Sequence, residues 1–121
     1  MTQEDKELLL RDLCGRLPYF VKVQIKNEIV VLDSICDDDG YHFNFIGDDR
    51  EGVNIEQVKP YLFPLSSMTE EQKSQYSFFL TRIIDGYDSS LLIDWLNKNH
   101  FDYRGLIPMG LANDATGLNI Y

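Results

Sequence analysis

The densest chemistry in this 121-residue chain is the run His100-Phe101-Asp102-Tyr103-Arg104-Gly105, which sets an imidazole, a carboxylate, a phenol and a guanidinium within six residues. Mixed groups of this kind do acid–base work or hold an anion. No nucleophile accompanies them locally, and the only other histidine, His42, is remote in sequence. A plainer reading competes. The run follows a helical pattern, so His100 and Arg104 would sit at the negative end of a helix dipole while Phe101 and Tyr103 pack on the core. With Trp95 just upstream, the residues Trp95, His100, Asp102, Tyr103 and Arg104 form a candidate small-ligand or peptide site. That site requires a concave pocket around them.

Carboxylates form the second group. Asp37, Asp38 and Asp39 precede a glycine, and Asp48, Asp49 and Glu51 follow another. A strand over 41–46 would hold the two clusters about 20 Å apart, at about 3.3 Å per residue. They would then not converge on one metal ion, and their spacing misses the alternating ligands of a calcium loop. Asp and Gly also belong in turns for backbone reasons alone. The functional alternative is an acidic surface that meets a basic partner.

Cysteine chemistry has little support. Cys14 falls near a helix C-terminus and Cys36 beside three aspartates, and both settings disfavour a thiolate. A Cys36–His42 pair across a turn would still need an oxyanion hole. There is no phosphate-binding loop, dinucleotide-binding glycine pattern, zinc spacing or serine elbow, so no cofactor, metal or catalytic residue is assigned. The chain carries 20 acidic and 11 basic residues, a net charge of −9. Such a field repels phosphates, which disfavours nucleic acid and anionic membrane surfaces as partners. A small basic patch of Arg11, Arg16, Lys22 and Lys26, interleaved with Tyr19 and Phe20, does not outweigh it. Two cysteines cannot build a disulfide framework, and no signal peptide or membrane span is visible, so a cytoplasmic protein with free thiols is expected.

The elements that must position these groups divide at Lys59-Pro60-Tyr61-Leu62-Phe63-Pro64-Leu65-Ser66-Ser67-Met68-Thr69. Two prolines make this stretch read as a joint. Before it, Thr2 can cap a helix carrying Leu9, Leu10, Leu13 and Leu17, with Gly15 as its C′ residue. Three alternating strands follow, over 19–25, 29–36 and 41–45, and Val53 with Ile55 suggests a short fourth. Short connections make them an antiparallel meander. After the joint, Thr69 and Gln72 spell a capping box. Tyr76, Phe79, Leu80, Ile83 and Ile84 form one helical stripe, and Leu91, Leu92, Trp95 and Leu96 form another. Asp88 or Ser89 caps the second helix. The tail over 110–121, rich in Gly, Asn and Asp, reads as a flexible end or a late strand.

Four segments together resemble a family of small proteins, without an assigned activity, of Bacteroidales gut bacteria and their phages or other mobile elements. They are the helix opening 3–10, the proline joint, the run from Trp95 to Ile107, and the tail after Gly110. The resemblance implies a bacterial or phage setting and no catalytic residues.

The expected protein is therefore one α+β domain over 1–121. Its parts are a helix plus β-meander (1–58), a proline joint (59–69), a helical hairpin packed on the sheet (70–109) and a tail (110–121). The expected function is non-enzymatic: an accessory or regulatory binding protein of a mobile element, its acidic loops facing a basic partner. Carboxylates placed where phosphates normally sit could inhibit a host nucleic-acid enzyme. The alternatives are a ligand or peptide site at 100–105 and a structural or assembly subunit that self-associates.

Overall fold

The computed structural model describes residues 1–37 and 39–121; Asp38, one of the acidic-loop candidates, lies outside them. Helix α1 (Gln3–Arg16) opens with a capping box in which the Thr2 hydroxyl accepts from the Asp5 amide and the Asp5 carboxylate accepts from the Thr2 amide. Strands β1 (Lys22–Ile25), β2 (Glu28–Asp37) and β3 (Tyr41–Phe45) form the antiparallel meander. Helices α2 (Glu70–Ile84) and α3 (Ser90–Lys98) make up most of the second half. The Thr69–Gln72 capping box opens α2, and the Asp88 carboxylate accepts from the Ser90 amide at the start of α3. No helix among the described residues is long and apolar enough to cross a membrane.

The sheet is larger than the expected meander, and mixed. Strand β4 (Lys59–Pro64) pairs antiparallel with β1 at Val23–Pro60 and Gln24–Lys59. Two short strands, β5 (Phe101–Asp102) and β6 (Asn113–Asp114), run parallel to β4. The order is β3-β2-β1-β4-β5, with β6 also on β4. The proline joint is thus a strand. Pro60 and Pro64 sit near its two ends, where a missing donor is tolerated, and Tyr61 and Leu62 between them are buried. The fourth strand expected at Val53 and Ile55 is absent: Ile55–Gln57 is a 3-10 turn capped by Asn54, and both apolar residues pack on the core. The first strand begins later than its alternation suggests, because Leu17–Tyr19 is a 3-10 turn around Pro18. The tail is ordered as a late strand, fixed by the Ala115 amide donating to the Leu62 carbonyl at 2.8 Å.

The apolar residues divide into two cores. In the larger, Leu9 and Leu13 of α1 lie on Val23, Leu32, Phe43 and Leu62 of the sheet. The smaller holds the hairpin: Met68, Leu92, Leu96 and Phe101, with Phe63, Tyr76, Phe79 and Trp95 around them. The hairpin therefore does not lie across the sheet face as expected. It closes on its own aromatic cluster and meets the sheet through Phe63 and Phe101. No residue of α2 is fully buried.

Gly15 is not a C′ residue either. Helix α1 continues through it, and Leu17 ends the helix in right-handed conformation. Its lack of a side chain serves packing, since a Cβ there would lie 3.2 Å from Asn97 Nδ2 of α3. Asn97 cannot easily yield, because its Oδ1 accepts from the Tyr103 hydroxyl at 2.9 Å. Alanine is worth about 1 kcal/mol more than glycine inside a helix. Gly15→Ala should nonetheless lower stability, by about 1 kcal/mol in urea unfolding, because overpacking outweighs propensity. In an Asn97→Ala background the same change should become neutral or stabilising.

Candidate functional site

The 100–105 run is pulled apart by the fold, and most of it is structural. Asp12 and Arg16, one turn apart on α1, are both fully buried. Arg16 Nε and Nη2 donate to the two carboxylate oxygens of Asp12 at 2.8 and 3.1 Å, and Nη2 also donates to the Phe101 carbonyl at 2.6 Å. Arg104 brings its Nε to 3.3 Å from the same carboxylate, a close ion pair. The guanidiniums of Arg16 and Arg104 lie 5.3 and 5.0 Å from the centre of the Tyr103 ring. The Asp102 carboxylate accepts from the Leu106 and Ile107 amides, each at 2.9 Å, and so shapes the following turn. Trp95 packs on Tyr76, Phe79 and Phe101. Tyr103 and Arg104 therefore hold α1 against the end of α3. Arg16, which the sequence places in a small basic patch, is instead fully buried.

His100 goes elsewhere. It follows the α3 cap residue Asn99 and takes a left-handed backbone at φ 61°, a conformation in which glycine or asparagine is usual. Its ring is only 9% exposed and stacks on Tyr121 at 3.7 Å between centroids. Its Nδ1 finds no partner among the described residues. Burial, then the positive charges of Arg16 and Lys22, push its pKa down from 6.5 to about 4. The imidazole is thus neutral at pH 7 and gives no cationic stabilisation to the helix end, contrary to the dipole expectation. Tyr121 is held by its hydroxyl, which donates to the Tyr61 carbonyl at 2.7 Å and accepts from the Lys22 amide at 2.8 Å. Lys22 Nζ also reaches the Ile120 carbonyl. Beside this stack is a pocket of about 350 Å³. Phe63, Phe101 and Tyr121 form its apolar wall. Ser67, Thr69 and Gln72 line it from the start of α2, and Lys98, Asn99 and His100 from the end of α3. A concave site exists next to the predicted run, but of that run only His100 and Phe101 line it. Tyr121, Gln72 and Lys98 carried no sequence signal for this role, since each is remote from His100 or unremarkable on its helix.

The acidic loops do lie at opposite ends of β3. Asp37 and Asp39 are exposed beside Tyr41, while Asp48 bridges back to Phe45. Asp48 accepts from Arg50 Nε at 2.9 Å and from the Arg50 amide at 3.0 Å, and these bonds hold its carboxyl below the ordinary range. Arg50 also meets Glu28. Asp49 and Glu51 are exposed and enter no ion pair among the described residues. Among the described residues no cluster of three or more His, Cys, Asp or Glu is placed to hold a metal ion. Cys36 and His42 do face each other across β2 and β3. Partial burial raises the Cys14 thiol.

A further surface feature has no counterpart in the candidate residues read from sequence. Beyond the stripe that faces α3, the hairpin exposes large apolar groups: Ile84 is 84% exposed, Phe78 and Leu91 58%, and Tyr87 57%. Arg82 lies over the rings of both Phe78 and Tyr87, at 5.4 and 4.2 Å. Exposed Asp85, Asp88 and Asp94 stand beside these groups in sequence or by helical spacing.

Compared with family models, with curated protein sequences and with solved structures, the chain matches none of them.

Two measurements test this description of the polar centre. Asp12→Asn leaves two guanidiniums without their carboxylate and should cost about 3–5 kcal/mol in urea unfolding. His100 should also make stability depend on pH. With the folded pKa near 4 and the unfolded value near 6.5, the unfolded chain takes up the proton first as pH falls. The contribution is therefore full above about pH 6.5 and is lost down to about pH 4, a drop on the order of 3 kcal/mol. His100→Asn, which keeps a residue tolerant of positive φ, should lose that part of the acid slope while retaining the part due to carboxylates.

Proposed function

We propose that this chain is a non-enzymatic protein-binding module, and that the outer face of its helical hairpin takes a partner whose apolar strip is flanked by lysine or arginine. The supporting observation is the exposure of Phe78 and Ile84 on α2, Tyr87 in the link and Leu91 on α3, in a hairpin whose inner faces are already packed. Arg82 lies over the rings of both Phe78 and Tyr87 and so brings these two together, and a contiguous exposed apolar patch marks a docking surface. Charge selects the occupant. Exposed Asp85, Asp88 and Asp94 stand near the apolar groups in sequence, and the chain as a whole carries −9. A second copy would bring the same charge, whereas a basic partner is attracted over distance and its strip is covered on contact. The acidic loops fit the same reading as a source of long-range attraction, with Asp37, Asp39, Asp49 and Glu51 freer to act than Asp48, which Arg50 already occupies. An accessory role on a bacterial mobile element is the setting that the sequence resemblance supplies.

The test uses a synthetic amphipathic helix with leucine on one face and lysine on the other, and a control peptide with glutamate in place of lysine. Isothermal titration should show binding of the lysine peptide only, weakened about tenfold or more by Ile84→Lys, since losing a desolvated apolar anchor costs on the order of 1–3 kcal/mol. Ile84 is too exposed for the change to disturb the fold. Equal binding of both peptides, or an unaffected Ile84→Lys, would overturn the reading. So would a dimer in sedimentation that Ile84→Lys dissociates, which would assign the face to self-association.

A further inference from the structure

The free edge of the sheet indicates a second kind of contact, independent of the hairpin's outer face. Strand β3 ends the order β3-β2-β1-β4-β5, and among the described residues no further strand pairs with it beyond β2. Asp48 bridges to Phe45 at one end. An edge strand presents a row of open N–H and C=O groups, which proteins usually blunt with lysine, proline or a very short strand. The opposite edge follows that rule, since β5 has two residues. Strand β3 does not: Tyr41-His42-Phe43-Asn44-Phe45 includes neither lysine nor proline.

Beside that edge is a groove. Tyr41, 51% exposed, forms one wall of a cavity of about 280 Å³, and Gln3, Glu7 and Leu10 of α1 line it together with Ile55. An added strand would turn alternate side chains towards α1, and the groove has room for an apolar one. The surrounding charges define the occupant. Exposed Asp37 and Asp39 stand before β3 and exposed Asp49 stands past its end, while Glu7 lines the groove. Two cations at the same places are already engaged: Lys6, which also lines the groove, pairs with Glu56 at 2.9 Å, and Arg50 pairs with Asp48. A second copy of this chain fits badly. Pairing β3 with β3, in either direction, would set one copy's acidic turns beside the other's, and like charges opposed across strands are unfavourable. A basic segment meets carboxylates at both ends of the edge.

We propose that β3 is a docking edge for an extended basic segment of a partner protein. The segment adds as a strand, with its backbone paired to β3, an apolar side chain in the Tyr41 groove, and lysine or arginine at its two ends against the acidic turns. The probe is a short peptide of alternating valine and threonine with lysine at both ends. One control carries glutamate at the ends, and another carries N-methyl groups that remove its backbone donors. In ¹⁵N-labelled protein the lysine peptide should give saturable amide shifts centred on residues 41–44 and slow hydrogen exchange there, and neither control should do so. Tyr41→Lys, an exposed change, should weaken binding about tenfold. The pair Asp37→Asn and Asp39→Asn should weaken it and flatten its salt dependence, and asparagine tolerates the positive φ of Asp39. Ile84→Lys should leave it unchanged, which separates this edge from the hairpin face. The proposal is overturned if the lysine peptide gives no saturable shifts on β3, or if the shifts centre on α2 and α3. It is equally overturned if either control binds as well, if Tyr41→Lys binds like the wild type, or if sedimentation shows a dimer that Tyr41→Lys dissociates.

Discussion

The fold depends on one buried ion pair. Asp12 and Arg16 are a turn apart on α1, wholly removed from water, and the guanidinium that completes the pair also holds the carbonyl of Phe101, 85 residues further along. Burying two charges is costly, and such a pair is tolerated only where further hydrogen bonds complete it. Here the completing hydrogen bond comes from the second half of the chain, at the Phe101 carbonyl; Arg104 adds its charge at 3.3 Å from the shared carboxylate, and both guanidiniums lie near the Tyr103 ring, while Arg16 Nη1 finds no partner among the described residues. The pair therefore specifies how α1, the end of α3 and β5 sit together. The contact between Gly15 and Asn97 belongs to the same constraint, because α1 must come close enough to α3 for Arg16 to reach Phe101.

Arg16 of that arrangement, together with Lys22 of β1, also acts on His100. The consequence is chemical. Burial and the field of Arg16 and Lys22 keep the imidazole neutral, so it neither stabilises the helix end nor answers ordinary changes of pH. A neutral ring can instead lie flat on Tyr121, whose hydroxyl is tied to both β1 and β4. One end of the hairpin is thereby fastened to the sheet by an aromatic stack rather than by a charge.

How much of this was legible in the sequence follows from the range of the interactions. Capping boxes at Thr2 and Thr69 and the three-stranded meander rest on contacts between near neighbours, and the structure has them. Strand β4 was obscured because prolines punctuate it, although both lie near its ends where strands accept them. Strands β5 and β6 are two residues each and parallel to β4, so no alternation announces them. Gly15 carried the right residue for a helix end and the wrong reason, since close packing needs glycine as much as a left-handed turn does. The 100–105 run drew notice for its mixture of groups, but a sequence cannot show that Arg104 and Tyr103 turn towards α1 while His100 turns towards a tail residue. Helical spacing puts Tyr76, Phe79, Leu80, Ile83 and Ile84 on one stripe of α2, but only Tyr76, Phe79 and Ile83 pack in the hairpin core, and Ile84 is exposed.

The division into two cores explains why the hairpin can carry an apolar exterior without endangering the fold. The sheet and α1 close their own core around Leu9, Leu13, Leu32 and Leu62, and the hairpin closes another around Trp95 and Phe101. Neither core draws on the exposed Phe78 and Ile84 of α2. The base of the hairpin is different. The start of α2 and the end of α3 meet at the His100 pocket, and Phe63 and Tyr121 join them to the sheet.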